Sequence, residues 1–402
     1  MKVKYLICLI LIDSVVMSCS SDDQDTDSIP CIDVRKTYPE KEIILTDISD
    51  VTYVHLNSEN EDYLFKGKID YVTENTIVVG DYASGSILFF SKDGNPKSHF
   101  NRYGAGPQEY SASMNTIIYD ETSDEVFVIP TNINHIIQVY SSKGEYKRTL
   151  TLPQGSKLGQ IVSFDDQTLF VYDFQKAFIT GLKRIGLKET NLSTQSIGSC
   201  FFLISKIDGK VLDYVEVPSQ EIDLSVANKS GQIMFPVYRR IVRCEEGAYI
   251  CNPETDTVFF YGKDKLFTPV LCKKPLVSKL DPMEILNNCI DAGRHQFMVV
   301  ETLYSEIDKG FILPKKYYMR DKQTGEFFRQ KIILPDYKEK EFFISPDNAY
   351  FNGKETQAHF SLNLFELKEA YKDNRLGGKL KELVATLNEL EDNDVIVFVT
   401  FK

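Results

Sequence analysis

The segment Ile87-Leu88-Phe89-Phe90-Ser91-Lys92-Asp93-Gly94 decides the fold, because its form returns along the chain. It is a short run of β-branched, aliphatic and aromatic residues that is closed by a turn signal. The same form recurs as IQVYSSKG (137–144), FLISKIDG (202–209), VFFYGKD (258–264) and YYMRDKQTG (317–325). Units of about 45 to 50 residues with about four strands each are typical of a β-propeller, in which ringed sheets bury each other's faces.

The repeat divides the chain into six units, which predicts an all-β, six-bladed β-propeller. The units are 63–110, 111–155, 156–218, 219–276, 277–336 and 337–367. The spacing is irregular, and the third and fifth units depart most from the repeat. A two-domain β-sandwich is the alternative architecture.

Sequence outside the six units is predicted to close the ring. The segment 43–56 (IILTDISDVTYVHL) reads as a strand that joins the last unit. Leucines recur at helical spacing over 362–390, with an interruption at Gly377-Gly378, and 395–401 (VIVFVTF) reads as a final buried strand. The ring would therefore be closed by strands from both ends of the chain.

The first 18 residues form a signal-peptide pattern. Lys2 and Lys4 precede an apolar run, Tyr5 to Ile12, that is too short to span a membrane. The tetrapeptide 16–19 (VMSC) then resembles a bacterial lipobox, which implies that Cys19 is acylated and begins the mature chain. A plain secretory signal with a chance cysteine is the alternative, since Asp13 interrupts the signal.

The residues behind Cys19 resemble the surface-export signal of Bacteroidetes lipoproteins. They are Ser20, Ser21, Asp22, Asp23 and Asp25. The expected location is the outer membrane, with the protein exposed at the cell surface or otherwise facing the periplasm. The expected domains are a signal peptide (1–18), an acidic flexible tether (19–41) and the propeller (42–402).

Composition excludes some classes of partner. The formal net charge is −12, which does not suit nucleic acid, because phosphate binding needs clustered Lys and Arg. No second apolar stretch approaches membrane-spanning length, so the expected membrane contact is the N-terminal lipid alone.

Eight cysteines are present, and six follow Cys19. Their spacing contains no C-x-x-C pair and matches no zinc pattern. Cys244 and Cys251 flank a predicted turn, so a disulfide between them is conceivable outside the cytoplasm. Buried free thiols are the favoured expectation, because cysteine is among the most buried residue types.

Three segments resemble the six-bladed β-propeller lipoproteins of Bacteroides, a family related in fold to NHL-repeat propellers. They are the opening IILTDISDVTYVHLNSE (43–59), the loop RYGAGPQEY (102–110), which matches the family's R-x-G-x-G-P-x-E-Y, and the C-terminal LKEAYKDNRLGGKLKELVATLNELEDNDVIVFVTFK (367–402). The resemblance covers essentially the whole mature chain. It implies a fold and a location, whereas the biochemical role of the family is largely undefined.

The loop 102–110 looks like a phosphate loop, but its chemistry argues against that reading. Pro107 has no N–H to offer an anion, and no helix pattern follows it. We expect a tight crossover between blades, in which Glu109 and Tyr110 bond to neighbouring backbone. Ligand binding by Arg102, Glu109 and Tyr110 is the weaker alternative.

A few charged residues are placed where a propeller axis could use them. Arg239, Arg240 and Arg243 lie on an early strand of the fourth unit, and Arg294-His295 could lie similarly in the fifth. Arg240, Arg243 and His295 are thus weak candidates for binding an anionic or sugar ligand. Pairing of the arginines with acids of adjacent blades is the favoured expectation.

No catalytic or metal set is recognisable in the sequence. The five histidines include no local metal pair, no H-E-x-x-H occurs, and no G-x-S-x-G nucleophile elbow is present. We therefore expect no cofactor, and a module that binds a glycan, a peptide or a protein partner. The rival is a metal-assisted lyase or lactonase in the central channel, which would need calcium or another divalent metal.

Overall fold

Six blade sheets follow one another along the chain in a computed structural model of the protein, and three short strands form a small additional sheet. The structure describes residues 29–110, 114–130, 135–153, 155–175, 178–179, 199–220, 222–228, 233–234, 239–304, 306–307, 314–388 and 391–402. None of the helices in these ranges is long and apolar enough to cross a membrane.

The N-terminal elements come before the first blade. They are β1 (Cys31–Asp33), β2 (Glu40–Ile44), helix α1 (Leu45–Ile48) and β3 (Ser49–His55), followed by a 3-10 turn at Glu61–Tyr63.

The first three blades are four-stranded antiparallel sheets. Blade one contains β4 (Lys68–Val72), β5 (Thr76–Asp81), β6 (Ser86–Ser91) and β7 (Pro96–Asn101). Blade two contains β8 (Met114–Asp120), β9 (Glu125–Pro130), β10 (Ile136–Tyr140) and β11 (Tyr146–Thr151). Blade three contains β12 (Leu158–Ser163), β13 (Thr168–Asp173), β14 (Phe201–Ser205) and β15 (Val211–Val215).

Two short strands, β16 (Val226–Asn228) and β17 (Ile233–Met234), lead to the other three blades. Blade four contains β18 (Ile241–Cys244), β19 (Gly247–Asn252), β20 (Thr257–Gly262) and β21 (Phe267–Lys274), and a 3-10 turn follows at Val277–Lys279. Blade five contains β22 (Met283–Ala292), β23 (His295–Leu303), β25 (Lys315–Asp321) and β26 (Phe327–Ile333), while β24 (Glu306–Ile307) pairs with β16 and β27 (Glu341–Phe342) pairs with β26. Blade six contains β28 (Ala349–Phe351), β29 (Thr356–Leu362), β30 (Val395–Phe401) and the N-terminal β3. The six predicted units therefore correspond to the six blades.

Buried apolar side chains between neighbouring blades close the ring. One cluster joins each successive pair of blades, including the last and the first, where Val54, Leu88 and Phe398 meet. The clusters of the other pairs follow the same arrangement. Each blade thus buries both faces, which explains why β5 consists entirely of buried residues.

The recurring turn connects the third and fourth strands of a blade. Gly94, Gly144, Gly209 and Gly325 have positive φ between 73° and 88°, which glycine adopts without steric penalty. In the fourth blade the left-handed residue is Lys265, with φ of 66°. The sequence signal that decided the fold is therefore a requirement for one left-handed residue at this position.

The two ends of the chain meet in the sixth blade, as predicted. β3 pairs antiparallel with β30 from Ser49↔Phe401 to His55↔Val395. Helices α2 (Leu364–Lys372) and α3 (Gly378–Thr386) connect β29 to β30 and are separated at Gly377, where the leucine pattern is interrupted. The Asn363 side chain caps α2 by accepting a hydrogen bond from the Glu366 N–H.

The N-terminal segment does more than complete one blade. β1 pairs parallel with β21 of blade four, β2 pairs parallel with β26 of blade five, and β3 pairs with β30 of blade six. We call residues 31–55 the strap. The strap covers the outer strands of blades four and five and supplies the outer strand of blade six, so three edges that would otherwise offer unpaired N–H and C=O groups are paired.

Two sequence expectations need correction here. The propeller domain begins at the strap and not at residue 42, because residues 31–33 and 40–41 pair with blade strands. The segment 43–56 does not act as one strand either, since Ile43 and Ile44 pair with blade five and only 49–55 pair with blade six.

The expectation of free cysteines is wrong for one pair. Cys31 and Cys272 lie opposite each other in β1 and β21 with Cα atoms 4.4 Å apart, and they form a disulfide. Cys244 and Cys251 are both free, because the hairpin register places Cys244 opposite Gly247. The disulfide thus links the start of the strap to blade four.

Candidate functional site

A cavity of about 480 Å³ lies where the first strands of five blades meet. Residues of β4, β8, β12, β18 and β28 form most of its wall, and His359 on β29 completes it. First strands surround the axis of a propeller, so this is the central channel. Its ionisable and aromatic wall residues are Lys68, Asp70, Tyr71, Arg239, Arg243, Asp347, Tyr350, Phe351 and His359.

A second cavity, also of about 480 Å³, adjoins the first. Both cavities are lined by Lys68, Ile69, Asp347, Asn348 and His359. The second cavity adds Tyr317 and Phe343, whose rings stack with centroids 4.2 Å apart, together with the hydroxyl residues Ser345 and Ser361. The two cavities share part of their wall, and together they form one candidate binding site.

Asp70 is a buried carboxylate in the wall of the central cavity. Its side chain is only 4% exposed, Tyr82 donates a hydrogen bond to its Oδ1 at 2.5 Å, and Lys68 Nζ lies 3.7 Å from the same oxygen. Burial raises the pKa of Asp70 to about 6, although Tyr82, Lys68 and Arg239 oppose the shift. Its Oδ2 is buried and has no hydrogen-bond partner in the described part of the chain. This carboxyl therefore changes charge close to neutral pH.

Arg239 and Arg243 supply positive charge to the wall of the central cavity. Arg239 comes just before β18, and the Arg243 guanidinium lies over the Phe351 ring, 5.1 Å from its centroid. The Nε atom of Arg243 is buried without a hydrogen-bond partner among the residues that the structure describes. The favoured pairing with acids of adjacent blades is not found for either arginine within those residues.

His359 and Tyr71 complete the electrostatic environment. Burial lowers the pKa of His359 to about 4, with further lowering from the charges of Arg239 and Lys92, so its imidazole is neutral near pH 7. Its buried Nδ1 has no partner among the described residues. Burial also raises the pKa of Tyr71, although the Arg243 guanidinium and a hydrogen bond with Ser163 oppose this shift.

Arg240 and His295 lie outside the cavity wall. Arg240 is buried beside the cavity, where its Nη1 donates to Asn252 Oδ1 at 3.1 Å and its guanidinium lies 4.5 Å from the centroid of Tyr172. His295 begins β23, the second strand of blade five, so the suggestion that it lies near the channel is wrong. Burial lowers its pKa, and Asp321 opposes this shift.

The loop 102–110 makes the backbone contacts that the structural interpretation predicts. Glu109 accepts a hydrogen bond from the Gly106 N–H at 2.8 Å, and the Tyr110 hydroxyl donates to the Gly85 carbonyl at 2.8 Å. Arg102 Nε donates to the Gly144 carbonyl of the next blade at 2.8 Å. A side chain at Gly104 would meet Glu109, with 1.9 Å between Cβ and a carboxylate oxygen, which explains the glycine. These contacts tie blade one to blade two.

Other sequence predictions lie outside the described residues or stay untested. Cys19, Ser20, Ser21, Asp22, Asp23 and Asp25 precede the first described residue. Among the described residues, no three His, Cys, Asp or Glu side chains are grouped as metal ligands.

Sequence reasoning identified Arg243 but missed Lys68, Asp70 and His359. Each of these three is a lone charged or ionisable residue in a β-rich stretch, and no motif surrounds it. The sequence does offer a signal for Lys68 and Asp70, because both lie at the start of the first strand of a blade, just after the connection that leads into it. Ionisable residues at the start of first strands are the ones that a propeller brings to its axis.

The chain is similar to one family profile and to several solved structures. A family profile described as a domain of unknown function, DUF4934, matches residues 29–400. The solved structure of a Bacteroides fragilis protein that is inferred to be exported is 15% identical, covers 93% of this chain and 100% of its own, and gives a TM-score of 0.57. At that identity the likeness concerns the fold alone.

More distant structures also match. A DUF4221 family member from Bacteroides vulgatus is 11% identical over 88% of this chain and 97% of its own, with a TM-score of 0.45. Virginiamycin B lyase from Staphylococcus aureus is 9% identical over 88% of this chain and 100% of its own, with a TM-score of 0.37. Both are too distant to support an argument about activity. No curated protein matches the sequence.

Proposed function

The chain belongs to the DUF4934 family of domains of unknown function, and from this premise we propose that it is a lipid-anchored, exported protein that binds a ligand in its central cavity. A glycan is the ligand class that we favour among the three that the sequence suggests, the others being a peptide and a segment of a protein partner. The export signal directs this binding module to the outer membrane, and the lipid holds it there.

One observation carries the proposal, namely that buried polar atoms without partners surround a single cavity. They are Asp70 Oδ2, Arg243 Nε and His359 Nδ1, and each lacks a hydrogen-bond partner among the described residues. Leaving such an atom unsatisfied costs about 1–3 kcal/mol. A polar ligand that supplies the missing partners would explain why three such residues line this cavity.

The binding proposal predicts that a charge reversal at Lys68 weakens ligand binding. Lys68 lines both cavities, and Lys68→Glu would place a second carboxylate beside Asp70. We expect affinity for a binding oligosaccharide to fall about tenfold or more, since charged hydrogen bonds contribute about 1.5–3 kcal/mol. Titration calorimetry with hits from a glycan array measures the effect.

Lys66→Glu is the matched control for this test, because it makes the same charge change at an exposed residue that lines neither cavity. It should bind like the wild type. Equal affinity for the wild type and Lys68→Glu would place the binding site elsewhere.

The anchoring proposal predicts that Cys19→Ala releases the protein from the membrane fraction. The acyl chains on Cys19 contribute about 0.8 kcal/mol for each buried CH₂ group, so their loss removes the anchor. Fractionation with metabolic fatty-acid labelling measures this. Replacing Asp22, Asp23 and Asp25 by Ala should keep the label but reduce surface exposure in whole-cell protease shaving. A Cys19→Ala protein that stays anchored and labelled would contradict the anchoring proposal.

A further inference from the structure

We propose that the ligand of the central cavity is an acidic saccharide, whose carboxylate or sulfate group is bound by Arg239 and Arg243. This inference rests on the proposed function and adds the charge of the ligand to it. Three features of the described residues support it. They are the balance of charge in the wall, the lack of an ion pair for Arg239 and Arg243, and the aromatic and hydroxyl side chains that line the second cavity.

The charge of the wall is opposite to that of the whole protein. The chain carries a net charge of −12, yet Lys68, Arg239 and Arg243 all line the central cavity. The two acids of the wall have their own partners. Asp347 pairs with Lys315 at 2.8 Å, and Asp70 is bound by Tyr82 and approached by Lys68. The remaining cations, Arg239 and Arg243, favour an anion in the cavity.

The two arginines are suited to bind such an anion. A guanidinium presents planar pairs of N–H donors that match a carboxylate or sulfate in a bidentate manner. The Phe351 ring lies under the Arg243 guanidinium, and a ring face in this position supports a planar cation without using its donors. No carboxylate among the described residues forms an ion pair with Arg239 or Arg243; the Tyr71 side chain hydrogen-bonds to Arg243, and the remaining guanidinium donors can meet a ligand.

The adjoining cavity favours a saccharide as the carrier of the charge. A single inorganic anion would fill a small part of two cavities of about 480 Å³ each. The second cavity combines the stacked rings of Tyr317 and Phe343 with the hydroxyls of Ser345 and Ser361. Apolar ring faces beside hydroxyl groups suit a sugar, which has a C–H face and a rim of hydroxyls. An acidic oligosaccharide can therefore place its charge on the axis and its neighbouring units in the second cavity.

The first experiment compares acidic and neutral forms of one sugar by titration calorimetry. The probes are oligogalacturonides, the same oligomers with their carboxylates reduced to alcohols, and sulfated carrageenan oligosaccharides, which carry no carboxylate. We expect the acidic forms to bind about 10–100-fold more tightly than the reduced form, because reduction of the carboxylate removes one or two charge-assisted hydrogen bonds. The comparison of uronate with sulfate then identifies which anion the site prefers.

Arginine variants locate the contact. Arg239→Gln and Arg243→Gln should each weaken acidic binding about tenfold or more, and should weaken binding of the reduced oligomer much less. Arg239→Lys keeps the charge but loses the bidentate fork, so we expect an intermediate loss. Arg329→Gln removes the same charge from an exposed residue on the outer strand of blade five and serves as the control. Thermal melts of each variant test that the fold is retained.

Asp70 adds a pH signature to the same measurements. Its carboxyl, with a pKa of about 6, is neutral below that pH and negative above it, so acidic ligands should bind less tightly as the pH rises from 5 to 7.5. The groups that face it are Tyr82 and Lys68 of blade one and Arg239 of blade four, while His359, with a pKa of about 4, stays neutral throughout this range. Asp70→Asn should remove the pH dependence.

The outcomes separate the inference from the proposed function. Equal affinity for acidic and reduced oligomers, or glutamine variants that bind normally, would overturn the acidic-saccharide inference while ligand binding in the cavity still stands. Binding of peptides alone, with dependence on Lys68, would also overturn it. If no ligand of any class binds in a manner that depends on Lys68, the proposed function fails as well.

Discussion

A chain that begins at Asn57, and so lacks the whole strap, should not form a stable monomeric propeller. Its removal exposes β21, β26 and β30 at the edges of blades four, five and six and takes away six apolar side chains that are at most 8% exposed, namely Ile32, Val34, Ile43, Leu45, Val54 and Leu56. Each contributes about 1.5–3 kcal/mol of burial, and the sum rivals the total stability of about 5–15 kcal/mol for a domain. We expect aggregation or a sharply lowered melting temperature.

Two further truncations separate the contribution of β1 and its disulfide from that of the whole strap. A chain that begins at Ile29 keeps the strap and is the reference, whereas one that begins at Glu40 loses β1 and the disulfide and should have intermediate stability. The sequence alone, which places residues up to Lys41 in a tether, would predict no loss for that second chain. Calorimetric melts of the three purified proteins distinguish these readings. If all three melt at the same temperature, the strap does not contribute to the ring.

Cys272→Ser should lower the free energy of unfolding by about 2–4 kcal/mol. The bond to Cys31 spans 241 residues, so it restricts the unfolded chain strongly, and it fixes β1, which has only three residues of pairing on its own. Denaturant unfolding with and without a reductant measures the effect. The reduced wild type should match the variant.

Cys244→Ser is the control for the disulfide variant. Cys244 is a free and half-buried cysteine of the same blade, so its replacement should change stability little and should leave the response to reductant intact. Alkylation followed by mass spectrometry should find Cys31 and Cys272 protected in the unreduced protein. A wild type whose stability ignores the reductant would show that the bond does not contribute.

The blades could be predicted from the sequence because each is built from local signals. A run such as ILFFSKDG carries both the strand preference of its residues and the left-handed turn at Gly94, within a few positions. The closing pair β3 and β30 was also predictable, since β30 is an apolar run and both strands are seven residues long and rich in β-branched and aromatic residues. The helices α2 and α3 follow from leucine spacing and from the break at Gly377.

The strap and the cavity could not be predicted in the same way, because their partners are distant in sequence. β1 consists of the three residues Cys31 to Asp33, which show no periodicity, and its pairing is determined by β21. The cavity residues Lys68, Asp70 and His359 become a site only when blades one and six meet. Arg243 was found because the sequence has a cluster of arginines, but its lack of an ion pair with any described residue depends on which side chains surround it in the ring.

The long-range contacts of the strap also determine the order in which the molecule can assemble. The Asn393 side chain donates hydrogen bonds to the carbonyls of Leu56 and Tyr63, and the first of these pairs is 337 residues apart. Synthesis makes the strap early and its partner strands in blades four to six later, and the export that we propose would deliver them in the same order. The early blades therefore wait with an open ring until the final strand arrives. Under the export proposal, the ring closes only after β30 has crossed the membrane, because β3 pairs with β30.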